Sequence, residues 1–173
     1  MNRRYARWSA DWAAAVLLFA AAPRACASQT ELSGPAGSGA FGAAVTVLSN
    51  GNFVVTDPAY SISGGAANVG AVYLYDGATL AVISTLTGST ANDRVGNGGV
   101  TVLPNGNYVI YSGAWNNGAV VAAGAVTWCS GTSGVSGAVS AANSLVGGQS
   151  NDVVGSGTIT ALPNGNYVVR SPG

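Results

Sequence analysis

The chain has no lysine and no histidine, and charged residues make up only 7% of its 173 positions. Each shortage removes a class of chemistry. Without histidine there is no Ser-His or Cys-His pair and no His-bearing metal site; without lysine there is no Schiff base and no Ser-Lys arrangement. The chain is formally neutral, but Arg3, Arg4, Arg7 and Arg24 all lie near its start. Beyond them Arg94 and Arg170 stand against Glu31, Asp57, Asp76, Asp93 and Asp152, two against five, a formal charge of −3. Such a surface has little with which to neutralise a phosphate backbone, which argues against nucleic acid as a partner. The five acids are scattered, with no local pair of carboxylates for glycoside hydrolysis. A non-enzyme is expected.

Long apolar runs are also scarce, and the longest is near the N-terminus. Arg3, Arg4 and Arg7 precede the eleven residues Trp12 to Ala22, and Ala25-Cys26-Ala27 reads as a small-residue exit. Basic start, apolar stretch and A-x-A site are the three parts of a secretory signal peptide, cleaved here after Ala27 to leave Ser28 first. The apolar stretch is far short of the roughly 20 residues that span a bilayer, so no membrane span is expected in the mature chain. Two variants and one structural reading stand beside this one. Arg3-Arg4 raises a twin-arginine signal, although the pair sits at the extreme N-terminus. Cys26 raises a lipoprotein cysteine, although Pro23-Arg24-Ala25 lacks the apolar residue of such a site. A buried amphipathic helix is the structural reading of the same stretch.

Cysteine is equally sparse. Cleavage after Ala27 removes Cys26 and leaves Cys129 alone, so the mature chain has no partner for an intrachain disulfide. Beside Trp128 in an apolar run, Cys129 reads as a small buried hydrophobe, with an exposed thiol that crosslinks to a partner as the alternative.

What the chain does have is glycine, 26 residues of it, with 48% apolar residues and many Val, Thr and Tyr. That balance suits strands joined by Gly-rich turns and disfavours helices. One phrase occurs three times, as Asn50-Gly51-Asn52-Phe53, Asn105-Gly106-Asn107-Tyr108 and Asn164-Gly165-Asn166-Tyr167, each after an alternating apolar run. Pro104 and Pro163 before the later copies, with Gly where positive φ is needed, specify a type I turn closed by a Gly bulge. The first copy has Ser49 instead of Pro, and Asn50-Gly51 also fits a type I′ turn. A hairpin results in either case.

The copies stay in step beyond the hairpin. Phe41-Gly42, Val95-Gly96 and Val154-Gly155 mark three starts, 54 and 59 residues apart. Third strands are expected at Gly70–Tyr75 and Gly124–Trp128, and weaker fourth strands at Ala81–Leu86 and around Val135–Leu145. Four short antiparallel strands per unit of about 55 residues is the signature of a β-propeller blade. The expected fold is all-β, with propeller-like four-stranded antiparallel blades, two complete and one truncated, after an N-terminal signal-peptide helix. The organisation is signal peptide 1–27, an extended or loose lead-in 28–39, repeat one 40–94, repeat two 95–153 and partial repeat three 154–173. The bare sheet left by the incomplete third copy points either to a fragment of a longer protein or to self-association.

Phe41-Gly42-Ala43-Ala44-Val45, the Asn-Gly turn and Gly70-Ala71-Val72-Tyr73-Leu74-Tyr75 resemble the FG-GAP repeat of the integrin-α propeller. The unit is still more similar to functionally uncharacterised bacterial repeats of large exported and surface proteins, through Leu103-Pro104-Asn105-Gly106-Asn107-Tyr108-Val109 and Ala141-Ala142-Asn143-Ser144-Leu145-Val146-Gly147. The resemblance implies fold and exposure. It also implies Ca²⁺ in the hairpin loops, but none of the three loops here carries the acid such a cation wants. No metal or other cofactor is expected.

Asp93 and Asp152 recur in equivalent connecting loops and are expected to accept backbone hydrogen bonds there, with a metal ligand as the alternative. Tyr60 and Trp115 recur in equivalent Gly/Asn-rich loops and are the candidate ligand-binding residues, a platform for a cell-surface glycan or protein; packing between blades is the other reading. The expected function is an exported, non-catalytic repeat module of a bacterial surface, structural or adhesive, secreted or retained at the cell surface. A carbohydrate-binding module using Tyr60 and Trp115 is the alternative.

Overall fold

Val, Thr and aromatic residues alternate along the expected strands, and β-branched side chains of this kind pack well on a pleated surface. The computed structural model describes residues 29–171, and its regular elements there are all strands. The leader, its helix and its cleavage site at 1–27 lie outside the described residues. The first repeat is an antiparallel meander of β1 (Ala44–Val47), β2 (Phe53–Asp57), β3 (Ala71–Tyr75) and β4 (Val82–Thr87). The second contains β5 (Val100–Val102), β6 (Tyr108–Ser112), β7 (Ala125–Cys129), β8 (Gly137–Ala138) and β9 (Ser144–Val146), of which β5-β6-β7-β9 form its sheet. The third supplies the hairpin β10 (Thr158–Ala161) and β11 (Tyr167–Arg170).

All three hairpins turn in the same way. The N–H groups of Gly51, Gly106 and Gly165 donate to the carbonyls of Leu48, Leu103 and Leu162 at 3.1, 3.0 and 3.0 Å. The three glycines have φ of +90°, +83° and +85°, while the asparagine before each keeps a negative φ. This is the type I turn with its Gly bulge, in the first copy as in the others. Ser49 therefore substitutes for proline without changing the turn.

The alternation gives the first two sheets two apolar faces each and the third hairpin one, and these faces stack. Val54, Val72, Leu74 and Leu86 of the first sheet pack against Tyr108, Ile110, Ala125 and Cys129 of the second in one buried core. On the opposite face of the second sheet, Val109 and Val126 meet Ile159, Ala161, Tyr167 and Val169 of the third hairpin. The outer face of the first sheet carries Val55, Tyr73 and Tyr75, covered by Leu32, Phe41, Phe53 and Tyr60. Each of the larger buried aliphatic side chains stabilises this stack by about 1.5–3 kcal/mol.

The lead-in is docked: Leu32 packs on the aromatic face, and the Ser61 N–H donates to the Gly37 carbonyl at 2.9 Å. Covering Tyr73 and Tyr75 is what holds it there. In the second repeat, the stretch expected to form one weak strand divides. Gly137–Ala138 pairs in parallel with β4 of the first sheet, and Ser144–Val146 forms the fourth strand of the second. The five extra residues of this repeat allow the excursion, which covers the otherwise free edge of β4.

Candidate functional site

The polar residues shared by the repeats hold loops and neighbouring repeats. Asp93 is fully buried, and its Oδ2 accepts from the N–H groups of Ser89 and Thr90 at 2.9 and 2.7 Å. Its Oδ1 reaches into the second repeat and accepts from the Asn116 N–H and Nδ2 at 3.1 and 2.9 Å. Asp152 repeats the local half of this pattern, accepting from the N–H groups of Gly148 and Gln149 at 2.8 Å each. At the end of the second strand of each repeat, Asp57 accepts from Ala40 N–H, Ser112 from Gly96 N–H and Ser171 from Gly155 N–H, at 2.7, 3.0 and 2.9 Å.

The hairpin asparagines have a double role. The Oδ1 atoms of Asn50, Asn105 and Asn164 accept from the N–H two residues on, within their own turns. Side-chain amides of the first two turns serve the next repeat: Nδ2 of Asn50 and of Asn52 donate to the Gly131 carbonyl at 2.8 and 2.9 Å, and Asn105 Nδ2 donates to the Gly165 carbonyl at 3.3 Å. The Gly131 N–H in turn donates to Asn107 Oδ1 at 3.1 Å.

Tyr60 and Trp115 do occupy equivalent places, since each carbonyl accepts from the glycine that opens the third strand, Gly70 or Gly124, at 3.1 and 3.0 Å. Their side chains are held apart in different cores. Trp115 is buried between the two sheets, with Nε1 unpartnered, so its ring offers no open face. Tyr60 is half-buried against the Tyr73 and Tyr75 cluster. The structure does not bring the two together into one platform.

The loop that carries Trp115 borders a cleft. The chain neighbours of Trp115, Ala114 and Asn116, line an opening of about 560 Å³, with Asn92, Arg94 and Asn97 on the facing loop. Three of the lining residues, Asn92, Arg94 and Ala122, have φ of +65°, +47° and +49°. For arginine and alanine that left-handed conformation is strained, and surrounding structure has to hold it. Hydrogen bonds do so: the N–H groups of Asn92 and Arg94 donate to the carbonyls of Ala67 and Asn68, and the Ala122 N–H to Asn116 Oδ1, at 3.0–3.1 Å. A guanidinium and three carboxamides around an open cleft suit a ligand rich in hydroxyl or carboxylate oxygens. Arg94 escaped the sequence reading, although one signal was available: it stands where the second repeat has Val153 in otherwise matching phrases.

Two buried groups complete the inventory. Asp57 Oδ2, Ser38 Oγ and the Tyr73 hydroxyl are buried without hydrogen-bond partners, and burial, followed by the Asp57 charge, holds that phenol well above its usual range. The Cys129 thiol is buried too, and desolvation pushes it up to about 12, so it remains protonated near neutrality. Among the described residues, no group of three Asp, Glu or Cys side chains gathers where a metal ion would be held, and no helix is long and apolar enough to cross a membrane.

No curated protein matches the chain, and no solved structure does. A family model described as a repeat of unknown function (DUF5650) matches residues 47–97, 102–156 and 161–173. Each segment begins at the last residue of a repeat's first strand and includes that repeat's copy of the Asn-Gly-Asn turn. The chain belongs to this family of repeats of unknown function.

Proposed function

We propose that the protein is an exported, non-catalytic repeat module, structural or adhesive, at or beyond a bacterial cell surface, with its blades arranged in the manner of an FG-GAP-like propeller. The observation that supports this reading is how the recurrent polar side chains are used. Asp57, Asp93, Asp152 and the turn asparagines all bind backbone or a neighbouring repeat. Chemistry of that kind builds a scaffold. The test is expression of the full chain in a bacterial host, with fractionation and mass measurement of the product. A chain beginning at Ser28 outside the cytoplasm supports export; an uncleaved chain confined to the cytoplasm refutes it.

The cleft around Arg94 favours a second reading, carbohydrate binding, with the ligand in contact with Asn92, Arg94 and Asn116. Its volume lies within the range of small-molecule sites. A glycan array probed with the wild type and with Arg94→Ala decides it. Binding that the substitution abolishes supports this reading, and no binding to any glycan removes it.

A further inference from the structure

The backbone around the Arg94 cleft belongs to the repeat, whereas the guanidinium belongs to this site alone. Asn151 and Val153 of the second copy have φ of +67° and +42°, as Asn92 and Arg94 have +65° and +47° in the first. The Val153 N–H donates to the Ala122 carbonyl at 3.1 Å, just as the Arg94 N–H donates to that of Asn68. The left-handed turn therefore does not require arginine. Arg94 is exposed and lines the opening, and with Arg170 it is one of only two cationic side chains among the described residues. The acid beside it in the chain is engaged elsewhere: Asp93 is fully buried, and its two oxygens accept from the N–H groups of Ser89 and Thr90 and from Asn116. Among the described residues, no acid lines the cleft.

The rest of the lining narrows the kind of ligand that uses this charge. The cleft has no aromatic face for a neutral sugar ring to lie on, since Trp115 is in the core and Tyr60 belongs to a different cluster. The Asn116 carboxamide is already committed, its Oδ1 to the Ala122 N–H and its Nδ2 to Asp93. That leaves the donors of Arg94, Asn92 and Asn97 for a ligand, beside the side chain of Val121, which is 60% exposed in the same cleft. We propose that the cleft takes an acidic sugar: its carboxylate pairs with the Arg94 guanidinium, its hydroxyls meet Asn92 and Asn97, and its C–H face lies on Val121. The planar fork of a guanidinium matches a carboxylate through two parallel N–H···O bonds, which are stronger than bonds between neutral groups. This inference rests on the carbohydrate reading of the cleft and names the class of sugar.

The test is calorimetric titration of the full chain with oligomers of glucuronate, galacturonate and N-acetylneuraminate, with the methyl ester of each, and with triglutamate. The esters keep the sugar and remove the charge. At least one free acid is expected to bind about tenfold or more tightly than its ester, the factor a charge-assisted pair supplies, and to weaken as salt is raised. Arg94→Val gives the first copy the residue that the second already carries in the same conformation, so its thermal unfolding curve is expected to match the wild type. That variant is expected to bind the acid no better than the ester. Equal binding of acid and ester by the wild type overturns the proposal and leaves the carbohydrate reading standing, and so does a variant that still prefers the acid. Binding of none of the acids also overturns it; neutral glycans that bind on the array then keep the carbohydrate reading, and their absence removes that reading too. Binding of triglutamate in place of any sugar overturns both and assigns the cleft to an acidic peptide.

Discussion

Cys129 lies opposite Tyr108 in the register of β6 and β7, in the core between the two sheets. Its thiol is raised from 9.0 to about 12 by desolvation, so between those values the folded chain keeps a proton that the unfolded chain has lost. Stability therefore falls as pH rises through that window, by on the order of 4 kcal/mol at its upper end. Urea unfolding of the wild type and of Cys129→Ala from neutral to alkaline pH should show the variant declining less steeply; equal slopes would contradict the assignment. At the scale of single residues, legibility depended on how many surroundings a residue type tolerates. A recurrent loop aspartate has few stable fates, and Asp93 and Asp152 do accept backbone N–H groups as their sequence context implied. An aromatic in a polar loop has two, outward or inward, and only the fold puts Trp115 in the core. The expected buried character of Cys129 followed from its apolar run and is what the structure shows.

At the scale of elements, turn chemistry carried most of the information. Leu-Pro-Asn-Gly specifies a bulged hairpin through the φ values its residues permit, and the observed registers follow from it. β8 was not legible, because two residues of Gly-Ala carry no strand pattern and take their conformation from the edge of β4. The turn after β7 is set by close approach instead. A Cβ on Gly131 would collide with the Gly106 carbonyl, and this buried peptide is gripped by Asn50, Asn52 and Asn107. Gly131→Ala should therefore destabilise the protein by about 2–4 kcal/mol in chemical denaturation. Gly148 makes a fair control, since an added Cβ there meets nothing within 4 Å. Gly148→Ala should be neutral or stabilising by up to about 1 kcal/mol. Similar losses for both would show that the close approach is not what requires glycine at position 131.

For the whole molecule, the alternation of side chains along each strand implied two-faced sheets that need neighbours, and the stacking of sheet, sheet and hairpin is the result. The sequence did not show which polar groups cross from one repeat to the next, because Asn116 and Asp93 belong to different phrases 23 residues apart. Such polar groups fasten repeat to repeat. The most direct test is a double-mutant cycle in urea unfolding on Asp93→Ala and Asn116→Ala, whose wild-type side chains are joined by a charge-assisted bond of 2.9 Å. A coupling energy of about 1.5–3 kcal/mol is expected, with the double variant less destabilised than the sum of the two singles. Single effects that add to within about 0.5 kcal/mol would contradict the account.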